Sequence, residues 1–185
     1  ILERGSSHVL LELWTPGFYA VPEEDGTVRL EVPGFEGPRA PGSPDVAVKR
    51  ALVEALAGRR VLVASVVAEE EIRFEGLRVA PAGGPSMVVS EEGTVQAGLS
   101  RRKSTSTRGL FPRTRSRILE VIFQGETKKA RVELSPLRHD PATGVTLLAR
   151  RLLVRIEFAG TETGERALSG SRGRRPPRAP SLKRQ

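Results

Sequence analysis

The chain has 185 residues, 38% of them hydrophobic, and carries a formal net charge of +8 with no cysteine. That length suits one domain with a core of its own. The lack of cysteine excludes disulfides, thiolate metal sites and a cysteine nucleophile within this chain, and no run approaches the roughly 18 uninterrupted apolar residues of a membrane helix.

Taken in chain order, the apolar pattern is that of strands. HVLLEL (8–13), TVRLEV (27–32), RRVLVASVV (59–67), EIRFEGLRV (71–79), RILEVIF (117–123), ARVEL (130–134) and LLVRIEF (152–158) are short, mostly alternating and rich in Val, Ile, Leu and Phe. Gly and Pro punctuate the gaps, as in VPGFEGPRAPGSP (32–44) and APAGGP (80–85). One segment has another period: DVAVKRALVEALAG (45–58) sets Val48, Leu52, Val53 and Leu56 at helical spacing and ends on Gly58. The expected fold is all-β, an antiparallel β-sandwich of jelly-roll type over residues 1–160 that allows one short helix, followed by a basic Pro/Gly/Ser-rich tail over 161–185.

The segment VELSPLRHDPATGVTLLARRLLVRIEF (132–158) is expected to form a hairpin. Its second strand puts Leu152, Val154, Ile156 and Phe158 on one face and Arg151, Arg155 and Glu157 on the other. Val132 and Leu134 are expected to supply the matching face of the first strand, which Pro136 ends by removing a ladder donor. Asp140, Pro141 and Gly144 have the chemistry of the turn, and His139 falls within it as a capping or packing residue.

The positive charge is concentrated. Residues 101–117 hold seven basic groups and 166–185 seven more, with no acid in either stretch. The remaining sixteen basic residues face all twenty-two acidic ones, so the body is mildly acidic. A solvated loop and tail account for such segments, and binding of nucleic acid or another polyanion is the sharper reading. Against it, the first segment holds only one aromatic, Phe111, and the tail none. The two histidines, His8 and His139, lack a ligand-spaced partner, so no metal site and no cofactor are expected.

Several stretches, in order, resemble the N-terminal prodomains of gingipain-type cysteine peptidases. The 132–158 segment is similar to that family's closing motif, in which a strand ends in proline and a basic and aromatic pair leads through Asn or Asp, Pro and Gly into a long final strand. GFYAVPEEDGTVRLEVPGF (17–35), APGSPDVAVKRALVEALAGRRVLVASVV (40–67), LRVAPA (77–82) and LFPRTRSRILEVIFQGETKKARVEL (110–134) resemble the family's other pieces. The likeness spans roughly residues 8–160. Departures are Phe111 where Tyr is usual before the proline, His139 in place of an aromatic, and Val46 and Ala47 in place of a Leu-Pro pair. The resemblance implies an extended strand rather than a helix over 46–54.

The resemblance further implies a non-catalytic folding assistant that keeps a cysteine peptidase latent, encoded in the same precursor or as a separate chain. In such relatives a basic side chain from a prodomain loop fills the specificity pocket of a peptidase that cleaves after Arg or Lys. Arg108, Arg113 and Arg115 are the candidates here, and Arg175, Lys183 and Arg184 are candidate processing sites. Pro176 and Pro177 disfavour cutting directly after Arg175. A bacterial secreted, periplasmic or cell-surface location follows. The start at Ile1, without Met or a basic-then-apolar leader, suits a lost signal peptide or a segment of a longer protein. A non-inhibitory structural or assembly module is the alternative, because a sandwich fold alone does not determine function.

Overall fold

The computed structural model describes residues 1–37, 41–89, 95–101 and 109–162, with backbone alone for 84–89 and 95–101. The described residues hold twelve strands and no helix. The strands are β1 (Glu3–Arg4), β2 (His8–Trp14), β3 (Tyr19–Pro22), β4 (Val28–Glu31), β5 (Lys49–Glu54), β6 (Arg59–Phe74), β7 (Gly83–Val89), β8 (Val95–Arg101), β9 (Ser116–Gln124), β10 (Thr127–Leu134), β11 (Leu137–Asp140) and β12 (Val145–Thr161).

The 17-residue β12 is the spine of a five-stranded antiparallel sheet. Along one edge it pairs with β6 from Thr146↔Phe74 to Thr161↔Arg59. Its other edge is shared: β11 pairs with the first part, Leu137↔Leu148, and β2 with the second, Leu152↔Leu13. A smaller sheet has β10 between β5 and β9. β3–β4 and β7–β8 are two-stranded hairpins.

The core lies where the two sheets face. Val9, Leu11, Val154, Ile156 and Phe158 from the larger sheet meet Val53, Ala130, Val132 and Leu134 from the smaller. Leu152, Val154, Ile156 and Phe158 are all buried, a gross transfer gain of about 6–12 kcal/mol that holds the register of β12. A second cluster, around Leu30, Val32, Val46, Leu137 and Leu148, fills the other end. The outward faces carry cross-strand ion triplets. Glu133 on β10 lies between Arg50 on β5 and Arg117 on β9, at 2.9 and 2.7 Å, and Arg151 on β12 bridges Glu12 and Glu69 at 2.8 and 2.7 Å. The Glu133 and Arg50 side chains are themselves buried, so their charges are satisfied by each other, and such cross-strand pairs favour the register of the sheet.

Two expectations change. Val132 and Leu134 do not pair with β12; they face it from the opposite sheet, and the hairpin is β11–β12. The cause is Pro136, where the chain leaves one sheet and enters the other, so the proline ends pairing as expected while redirecting the chain. The turn itself holds as read: the Asp140 carboxylate accepts from Ala142 N at 3.0 Å, and Gly144 takes φ 70°, where a Cβ would meet Leu77 O at 3.2 Å. Second, the 59–67 and 71–79 runs are largely one 16-residue strand, β6, with Glu70 in a left-handed conformation opposite Arg150. The extended strand that the resemblance implies over 46–54 is present as β5, which pairs residue by residue with β10 and buries Val53 while leaving Leu52 exposed, so the helical spacing at 45–58 makes no helix. Cross-strand pairing outweighs local period there.

Candidate inhibitory segment

The turn from β10 into β11 creates the site. Ser135 and Pro136 are buried where the chain changes sheets, and residues 109–115 lie beside their backbone groups. The segment is tied at its start by paired backbone bonds between Phe111 and His139, 2.8 Å and 2.7 Å. Phe111 also packs on the second core cluster, and the Phe111–Pro112 peptide is cis.

Arg138, on β11 beside His139, supplies the next ties. Its Nε donates to Pro112 O and its Nη2 to Arg113 O, each at 3.0 Å. At the far end the Arg115 carbonyl accepts from Ser135 N at 2.8 Å. The Arg115 side chain turns inward, 7% exposed, donating to Pro136 O at 2.7 Å and pairing with the Glu71 carboxylate of β6. Burial pushes the Arg115 pKa down while Glu71 opposes that shift, and the guanidinium remains charged because arginine does not lose its proton in proteins.

Between these ties Arg113 and Thr114 are exposed. Among the described residues no carboxylate pairs with Arg113. Two arginines two positions apart therefore have opposite settings, Arg115 spent on the interior and Arg113 displayed. Arg108 and the processing candidates Arg175, Lys183 and Arg184 lie outside the described residues, as does the expected tail beyond Glu162.

His139 sits in β11 rather than in the turn. It is buried, with Nδ1 2.9 Å from Thr146 Oγ1. Burial lowers its pKa, against the opposing influence of Asp140 and the Val145 backbone. Sequence reasoning did not find Arg138 or Glu71. Arg138 is the basic member of the pair in the closing motif, but that motif assigns it no role, and its other local trace is its place between two buried residues, Leu137 and His139, in a short strand.

The family model Propeptide_C25 matches residues 2–169. The chain belongs to the family of C25 propeptides. This propeptide also resembles solved structures. In a complex of Porphyromonas gingivalis RgpB pro- and mature domains the matching chain is 16% identical with a TM-score of 0.66, covering 86% of this chain and 84% of that one. A structure on the zymogenic latency of gingipain K from Porphyromonas gingivalis is also 16% identical, with a TM-score of 0.58, covering 83% of this chain and 100% of that one. At these identities the likeness establishes the fold of the propeptide. No curated protein matches it. As a C25 propeptide the domain is not itself the catalytic part of its precursor.

Proposed function

We propose that this propeptide holds a gingipain-type cysteine peptidase latent by presenting Arg113 to the peptidase's specificity pocket. The observation that carries the reading is the exposed Arg113 on a segment whose flanking carbonyls are already held by Arg138 and by the Ser135 amide. A guanidinium forms a bidentate pair with a pocket carboxylate, and a segment ordered before binding loses little further freedom on docking. The inward ion pair of Arg115 argues for a structural role for that residue. The partner, a cysteine peptidase domain, corresponds to the mature domain of RgpB in its complex with the RgpB prodomain. We further propose that the precursor is exported from a bacterial cell, and that cutting in the basic tail, at Lys183 or Arg184 rather than before the Pro176–Pro177 pair, separates the propeptide.

The test is titration of the purified chain against a mature gingipain-type peptidase. Arg113→Ala is expected to weaken inhibition about 30- to 1,000-fold, the range of an interface hot spot, with Arg113→Lys between it and the wild type. Equal potency of Arg113→Ala and wild type would remove the site.

A further inference from the structure

Resting on that placement of Arg113, we infer that Arg138 and Arg115 are positioning residues that make segment 111–115 an inhibitor instead of a substrate. An exposed arginine in an accessible stretch is what an arginine-cleaving peptidase cuts, so latency needs a reason for the Arg113–Thr114 bond to survive. The ties lie on both sides of that bond. Upstream, Arg138 binds the Pro112 and Arg113 carbonyls, and Phe111 is paired to His139. Downstream, the Arg115 carbonyl is bound by Ser135 N, and its side chain is anchored to Pro136 O and Glu71. Only Arg113 and Thr114 lie between the two anchors.

Chemistry then disfavours turnover. Attack by the peptidase nucleophile on the Arg113 carbonyl carbon gives an ester or thioester and frees the Thr114 amine. Completion requires water to take the acyl group, leaving a carboxylate on Arg113. Here the freed amine stays next to the acyl carbon, because Arg115 fixes the next residue. That held amine attacks intramolecularly at high effective concentration, re-forms the peptide bond and expels the nucleophile. The Arg138 bond to the Arg113 carbonyl oxygen also resists the local opening that proteolysis needs.

The experiment exposes wild type, Arg113→Ala, Arg138→Ala and Arg138→Lys to catalytic trypsin, locating cuts by mass spectrometry. The inhibition constant against a mature gingipain-type peptidase and the thermal midpoint are measured alongside. Trypsin cleaves after arginine whatever the natural partner is, so the first readout does not depend on the proposed function. Wild type is expected to stay joined at Arg113–Thr114. Arg138→Ala is expected to be cut there at least about tenfold faster, with inhibition that decays over time, and Arg138→Lys, which keeps the charge but not both bonds, to fall between. Should Arg138→Ala fail to fold, Arg138→Lys decides the matter by the same cut. An Arg138 variant that folds and remains uncut, or a wild type cut at once after Arg113, overturns the inference. If Arg113→Ala alone keeps full potency, the proposed function falls while the cleavage result stands by itself.

Discussion

The two ends of the sandwich are each closed by a buried basic side chain, and they do different work. At one end Lys128 of β10 points into the interior, its side chain fully buried, with Nζ donating to Arg59 O at 2.6 Å and to Glu162 at 2.7 Å. At the other end Arg115 reaches Pro136 O and Glu71. Lys128 joins the start of β6 to the residue that follows β12, securing that edge of the larger sheet. Arg115 anchors a segment that displays a second arginine to solvent. The same device, a desolvated cation satisfied by carbonyls and one carboxylate, serves closure at one end and presentation at the other.

The comparison can be broken by substitution. Lys128→Ala should have the largest effect on stability, about 3 kcal/mol from a lost ion pair, an unpaired Arg59 carbonyl and the cavity left by the buried stem; Lys128→Met, which keeps the volume, should cost less. Both should inhibit at wild-type potency once folded, which chemical denaturation and titration together will show. Arg115→Ala should cost about 2 kcal/mol and, unlike the Lys128 variants, should also weaken inhibition.

Acid should act mainly at the presentation end. The folded pKa of His139 is depressed by burial, so below about pH 6.5 the unfolded chain takes up a proton that the folded chain resists, and stability falls with pH by at most about 1.4 kcal/mol per unit from this group. Asp45 runs the other way, because burial raises its pKa and its contribution is lost as pH rises above its ordinary value. The wild-type minus His139→Gln difference in unfolding free energy, measured from pH 7 to 5, isolates the histidine; a flat difference would contradict its burial as a neutral group. The smallest stability effect should be that of Arg113→Ala, within about 0.5 kcal/mol, although its effect on inhibition should be the greatest of all.

Much of the architecture was legible because alternation survives in the long strands. β2, β9, β10 and β12 fall where HVLLEL, RILEVIF, ARVEL and LLVRIEF stand. β3, β7, β8 and β11 were not read, since four residues carry almost no period and the 83–101 stretch is interrupted by Gly and Pro. The partner of β12 was misjudged because adjacency in sequence favours a hairpin, whereas Pro136 transfers the chain between sheets and only tertiary packing reveals it. The proposed site was half legible. Charge and the family resemblance pointed to the basic 101–117 stretch as the candidate, but nothing in TRSR separates a displayed Arg113 from a buried Arg115. That distinction is made by Glu71 and the Ser135–Pro136 carbonyls, which lie 44 and about 20 residues away in the chain. The expectation of a basic excursion held off the body also changes, since Arg115 and Arg117 are ion-paired within it.

The most direct measurement is a crystal structure of this propeptide bound to its cysteine peptidase. The Arg113 guanidinium is expected within about 3 Å of a carboxylate in the specificity pocket, with the Arg113–Thr114 bond unbroken and Arg138 still bonded to the Pro112 and Arg113 carbonyls. A complex with Arg113 in solvent and a different side chain filling the pocket would contradict the proposed mode of latency.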